Sequence, residues 1–110
     1  MKNYIQKGGV LSVVAPYAVT SGQGVLVGAL FGIAANNAAQ GAPVEIVRRD
    51  VFDISAVSAD TAAQGAKIYW DNTGRKVTTT ATNNTLVGCV TEAKANGDTT
   101  ARVLLDGVIR

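Results

Sequence analysis

Short apolar runs alternate with polar positions along the whole chain, and clusters of glycine, asparagine and aspartate separate them. Residues 10–15 are rich in β-branched side chains and end before Pro16, which is typical of a strand. Similar runs recur at spacings of about ten residues, the pattern of a compact all-β domain. Further extended segments are predicted at residues 25–27, 33–35, 44–47, 51–54, 67–70, 76–80, 86–92 and 101–105.

Turn and helix signals refine this prediction. Asp71-Asn72-Thr73-Gly74 separates two apolar runs and predicts a hairpin turn. Residues 58–65 are the best helical candidate, because Ser58 or Asp60 can cap the start and Gly65 the end. The expected fold class is all-β: a compact small sandwich or barrel of short strands, with at most one or two short helical turns.

Composition fits one globular domain. The chain has 110 residues, of which 47% are hydrophobic and 16% charged, so we expect a single β domain over residues 1–110. The net charge is +2, and no basic run exceeds two residues. This net charge is too small, and the basic residues too scattered, to bind a phosphate backbone, so we expect no nucleic acid partner.

The chain lacks the residues that most enzymes use. It contains no histidine, and its single cysteine, Cys89, lies in an apolar run where a buried structural thiol is expected. The Gly22-x-Gly24 pair is followed by Val27 where a dinucleotide fingerprint needs a third glycine. We therefore expect no enzymatic activity, no cofactor and no metal site.

Membrane insertion is not expected either. No apolar stretch approaches the roughly 18 residues that a transmembrane helix needs. The first residues lack the apolar segment of a signal peptide, which favours synthesis and retention in the cytoplasm of the producing cell.

Residues 1–9 are predicted to form a flexible N-terminal arm. They carry the apolar pair Tyr4-Ile5 and end in Gly8-Gly9, which has little conformational preference. Two alternatives remain open for Tyr4 and Ile5. They bind a neighbouring subunit by adding a strand to it, or they begin the first strand and pack on their own domain.

Several segments of the chain resemble a known family. The chain is similar to the domain-of-unknown-function 2190 family of tailed-phage capsid cement, or head decoration, proteins. The segments that carry the resemblance are residues 1–8 with Leu11, residues 16–34, Gly41 with Val44-Glu45, and residues 51–53, 64–71 and 86–88.

The resemblance implies a structural protein of the virion. It implies an all-β body on the outside of the capsid, made in the bacterial host cytoplasm, that binds the assembled major capsid protein and stabilises the shell. A homo-oligomer is implied, with a trimer favoured and a dimer next. Some members carry a recombinase label, which the missing phosphate loop does not support. The alternative is a stand-alone β module that binds nucleic acid or carbohydrate.

Overall fold

Nine strands in two antiparallel sheets make up the computed structural model, which describes residues 8–109. The N-terminal sheet has the order β1-β4-β3-β2, and the C-terminal sheet has the order β5-β9-β8-β6-β7. The strands of the first are β1 (Val10–Val14), β2 (Gly24–Val27), β3 (Leu30–Ala34) and β4 (Pro43–Val47). Those of the second are β5 (Arg49–Ser55), β6 (Lys67–Asp71), β7 (Lys76–Thr78), β8 (Thr85–Val90) and β9 (Thr100–Asp106).

The C-terminal sheet curls until its two edge strands meet. Ala56, directly after β5, forms a parallel bridge with Val77 of β7. The amide of Val57 donates to the Val77 carbonyl oxygen at 3.0 Å. The sheet therefore approaches a closed barrel, and the predicted all-β class is confirmed. Within residues 8–109, no helix is long and apolar enough to cross a membrane.

Strand periodicity selects the core. In β9, Ala101, Val103 and Leu105 are buried while the residues between them are exposed. The buried side chains form one apolar cluster inside the C-terminal sheet and a second on the N-terminal sheet. Ile33 of β3 belongs to the first cluster, so the N-terminal sheet packs against the barrel through that strand.

Trp70 is the largest fully buried side chain among the described residues. Its ring centroid lies 5.1 Å from that of Phe31 on β3, and the planes are inclined by 50°. Trp70 and Phe31 thus pack together where the two sheets meet, and Phe52 packs against the same cluster. The indole touches β2 at Gly24, where only the absence of a side chain leaves room for the ring.

The helical candidate over residues 58–65 is wrong. The Asp60 amide closes a single turn onto the Val57 carbonyl at 3.2 Å, but the donors that follow bond to distant segments and no helix continues. Ala62 and Lys94 exchange two amide-to-carbonyl bonds of 3.1 and 2.8 Å, and the Gly65 amide donates to the Val90 carbonyl at 2.8 Å. The end signal at Gly65 marks a turn with φ of 88° instead of a helix end.

Turn chemistry otherwise follows the sequence closely. The predicted turn over residues 71–74 joins β6 to β7, and the Asp71 carboxylate accepts the amides of Thr73 and Gly74 at 3.0 and 3.2 Å. A second hairpin joins β2 to β3 through Gly28 and Ala29, with Gly28 at a φ of 58°. Sequence analysis did not identify this second hairpin.

Replacing Gly24 by alanine tests the close approach of Trp70. An added Cβ would lie 2.6 Å from the indole, so we expect a loss of about 1–3 kcal/mol in the free energy of unfolding. Urea unfolding followed by Trp70 fluorescence measures it. Gly9→Ala is the matched control, because no atom lies within 4 Å of its added Cβ. Equal midpoints for the two variants would contradict the packing described.

Candidate interaction surface

A row of apolar side chains crosses the outer face of the C-terminal sheet. Val51 of β5 lies opposite Leu104 of β9, and Leu104 lies opposite Cys89 of β8. Val51 is 47% exposed and Leu104 is 42% exposed. We call Val51, Leu104 and Cys89 the outer row. Large apolar side chains grouped on a sheet face commonly mark a contact surface.

The outer row borders a shallow depression of about 210 Å³. Leu86, Cys89 and Leu104 supply its apolar wall, and Lys67 and Asp106 lie at its margin. Cys89 is half-buried here, so the expectation of a buried thiol is wrong. Cys89 lies opposite Lys67 and Leu104, both exposed, so strand alternation places its side chain on the outer face. The buried positions on β8 fall at Val87 and Val90, and Cys89 is left on the outer face.

Charged side chains flank the outer row on the same face. Arg102 Nε donates to Asp53 Oδ1 at 3.0 Å, and Arg102 Nη1 donates to Glu92 Oε1 at 2.9 Å. The hydrogen bond from Arg102 lowers the pKa of Asp53 below its ordinary value. Because these groups are exposed, the network contributes little to stability. It gives the apolar row a polar border, an arrangement that resembles the core and rim of protein interfaces.

A cavity of about 210 Å³ lies between the two sheets, lined partly by Tyr17, Trp70 and Arg75. The Tyr17 hydroxyl donates to the Gly24 carbonyl at 2.8 Å and accepts from the Leu26 amide at 3.4 Å. Burial raises the pKa of Tyr17 above its ordinary value. The Arg75 guanidinium carbon lies 3.4 Å from the Tyr17 ring centroid, a cation–π contact.

The same cavity wall links the two sheets. Asn72 Oδ1 accepts from Trp70 Nε1 at 3.0 Å and from Arg75 Nη1 at 2.6 Å. The β6–β7 hairpin, which carries these side chains, is thereby held against Tyr17 and the edge of β2. These contacts bind the sheets together, and they occupy the polar groups that a ligand would need.

Lys94 is a buried cation that binds three backbone carbonyl groups, two of them in the loop that contains residues 58–60. It is 5% exposed, and its ammonium donates to the carbonyl oxygens of Ser58, Asp60 and Ala95 at 3.3, 2.7 and 3.3 Å. The Asp60 carboxylate turns to β7 instead. It accepts from Thr78 Oγ1 at 2.6 Å and from the Thr79 amide at 3.0 Å. Lys94 and Asp60 therefore fix the loop that the sequence suggested as a helix.

The chemistry-bearing side chains of residues 8–109 are dispersed. No group of three or more histidine, cysteine, aspartate or glutamate side chains within this range is arranged to hold a metal ion. The carboxylates described above accept hydrogen bonds from backbone amides, from the Thr78 hydroxyl or from Arg102.

The two residues predicted to bind a partner, Tyr4 and Ile5, lie outside the described residues. The chain enters the structure at Gly8 and Gly9. Arg48 donates to both carbonyl oxygens, from its side chain to Gly8 and from its backbone to Gly9, each at 2.8 Å. Arg48 Nη2 also donates to the Gly107 carbonyl at 2.5 Å. Gly8 is thus held beside the segment that follows β9.

Sequence analysis missed the outer row, although a signal for it was present. Val103-Leu104-Leu105 places three apolar residues in succession within one strand. Because successive side chains point to opposite faces, one of them had to lie on the face opposite the core. That residue is Leu104.

Comparison with known proteins identifies the class. The chain is a small β protein with an apolar, polar-bordered sheet face, and a family model described as phage cement protein matches residues 5–105. The chain belongs to the phage cement protein family, which confirms the expected relationship and indicates a role as a capsid cement protein. No match was found among curated proteins or among solved structures.

Asp60→Asn tests the loop contacts. The hydrogen bond from Thr78 holds the pKa of Asp60 below its ordinary value of 3.8, so the ionised form stabilises the fold. We expect the variant to lose about 1 kcal/mol at pH 7, since bonds to a charged acceptor are stronger than those to an amide. When folding lowers the pKa of a carboxyl group, its ionised form stabilises the folded state at every pH above the unfolded-state pKa. This stabilisation is lost as the pH falls through the pKa of the folded state.

The difference in the free energy of unfolding between wild type and Asp60→Asn should therefore be constant near neutral pH and shrink below about pH 3.8. Thermal unfolding measured from pH 7 to pH 3 checks this. Asp50→Asn is the control, because Asp50 is exposed and asparagine tolerates its φ of 89°. A difference for Asp60→Asn that is independent of pH would contradict the account.

Proposed function

We propose that the protein binds the outside of the assembled major capsid protein shell and stabilises it. The observation that carries this proposal is the outer row, an apolar sheet face with a polar border on a member of the phage cement family. In this proposal the protein has no enzymatic role, lies on the capsid exterior and acts as a homo-oligomer.

Modest contact energies are sufficient for such a role. Val51 and Leu104 are each about half exposed, so covering them contributes about 1 kcal/mol per side chain. Ordering costs remove part of that gain at any single site. A shell presents many identical sites, and an oligomer that engages several of them gains avidity. Binding only the assembled form stabilises the shell by mass action.

The N-terminal arm is the second part of the proposal. Tyr4 and Ile5 dock on a neighbouring subunit of the shell or of the oligomer. Gly8 supports this placement, because Arg48 fixes it beside the end of β9, next to the face that carries the outer row. Seven extended residues reach roughly 24 Å at most, enough to leave the domain surface.

Leu104→Lys tests the outer row. Leu104 is exposed and its side chain lies outside the core, so the melting temperature of the variant should change little. Binding to preassembled shells should fall at least about tenfold, because the contact would bury an unpaired charge. Co-sedimentation with shells of the major capsid protein measures binding. Thr82→Lys, in the exposed segment between β7 and β8, is the matched control. If both variants bind like wild type, the outer row is not the contact.

Deleting residues 2–7 tests the arm separately. The expected result is weaker shell binding or weaker oligomerisation, with an unchanged melting temperature for the remaining domain, because Gly8 and Gly9 keep their bonds to Arg48. Co-sedimentation and calorimetry measure the two properties. A truncated protein that unfolds readily, or that decorates shells as well as the full chain, would exclude this role. Steeply salt-dependent binding to DNA would favour the alternative module instead.

A further inference from the structure

The connection between β8 and β9 contains a chemically labile pair of residues, Asn96-Gly97. The side-chain amide of an asparagine is open to attack by the backbone nitrogen of the next residue. Glycine hinders this attack least, because it has no side chain and its backbone is the most adaptable. Asn96 alone among the asparagines of the sequence is followed by glycine, and it is exposed. The chemistry of the sequence therefore singles out position 96 for hydrolysis.

The fold holds this pair in one turn. The Asp98 amide donates to the Ala95 carbonyl at 3.1 Å, and Gly97 has a φ of 100°, as in type II turns with glycine at the third position. The Asp98 carboxylate accepts the Ala95 amide at 3.0 Å. Two hydrogen bonds between Ala95 and Asp98 thus close the turn around Asn96 and Gly97.

The backbone nitrogen that would attack Asn96 is bonded to another loop. The Gly97 amide donates to the Ser58 carbonyl at 2.7 Å. The same carbonyl oxygen accepts from the Lys94 ammonium at 3.3 Å, and Lys94 also binds the Asp60 carbonyl at 2.7 Å. Attack requires the Gly97 nitrogen to lose its proton and to turn toward the Asn96 side chain. Both changes are prevented while the bond to Ser58 is intact.

We propose that Asn96 is a deamidation site that the native fold protects, and that it is modified when the contact between Gly97 and Ser58 opens. In the open state hydroxide removes the Gly97 amide proton, and the nitrogen bonds to Asn96 Cγ. The side-chain nitrogen leaves as ammonia after taking a proton from water, which regenerates hydroxide. One water molecule then opens the succinimide ring and gives aspartate or isoaspartate. Lys94 is a positioning residue in this device, because it fixes the carbonyl group that holds the Gly97 amide.

The modification makes the opening of the turn permanent. Isoaspartate lengthens the main chain by one methylene, which is incompatible with the bonds that close the turn, and either product adds a carboxylate. Gly97 and Asp98 line a polar depression of about 380 Å³ together with Glu92 and Arg102. The new negative charge therefore lies at the polar border of the outer row. This inference does not depend on shell binding.

Peptide mapping by mass spectrometry tests the protection. The full-length protein and a synthetic peptide of residues 92–102 are incubated together at mildly alkaline pH, and aspartate and isoaspartate at position 96 are measured over time. The folded protein should be modified at least about tenfold more slowly than the peptide, because few molecules have the loop contact open at any moment. In urea that unfolds the chain, the two rates should agree.

Two variants test the part played by the loop contacts. Lys94→Met should be modified at least about fivefold faster than wild type, because the Ser58 carbonyl loses a bond to a charged donor. Lys76→Met, at an exposed position of β7, is the matched control and should be modified at the wild-type rate. Asp98→Ala removes the side-chain acceptor of the Ala95 amide on the exposed turn, and it should also be modified faster when each protein is compared with its own peptide.

Melting temperatures establish that each variant is folded under the conditions of incubation, and Asp98→Ala decides the outcome if Lys94→Met does not fold. The proposal is overturned if the folded protein and the peptide are modified at equal rates. It is also overturned if the folded variants are modified no faster than Lys76→Met, or if the modification in urea falls mainly on an asparagine other than Asn96.

Discussion

The junction of the two sheets depends on the indole of Trp70 lying against a glycine. Trp70 extends from β6 into the barrel core, meets Phe31 of β3, and occupies the space that a side chain at position 24 would fill. Its indole nitrogen is satisfied by Asn72, which also receives Arg75, so the β6–β7 hairpin is fixed against Tyr17. One buried ring thus positions the N-terminal sheet, the hairpin and the cap on the β2 edge.

Charged side chains on an edge strand prevent it from pairing with other strands, and a chain with few charges needs another means of protecting its edges. Here barrel closure protects β5 and β7, and one tyrosine hydroxyl protects β2. Among the described residues, large apolar side chains remain exposed on the outer row, on β1 and at Val108 and Ile109 after β9.

The strands could be predicted from sequence because period-two alternation and turn residues are local signals. The hairpin at residues 71–74 was predicted for that reason. Long-range contacts were not accessible in the same way. Residues 58–65 have helix-capping residues, yet Lys94 binds the carbonyl groups of Ser58 and Asp60, which precede it by 36 and 34 residues, and the segment forms a loop. Cys89 was expected inside because residues 86–90 form an uninterrupted apolar run, in which no alternation shows which face each side chain takes. The outer row was missed, although three successive apolar residues, Val103-Leu104-Leu105, indicated that one side chain lies on the outer face. Tyr4 and Ile5 lie outside the described residues.

A cryo-electron microscopy map of shells decorated with the full-length protein tests the central claim most directly. The account predicts that the outer face of the C-terminal sheet lies against the major capsid protein, with Val51 and Leu104 within about 4 Å of apolar capsid side chains. A map in which the outer row faces solvent, while the protein contacts the shell through the Tyr17 and Arg75 side of the molecule, would contradict it.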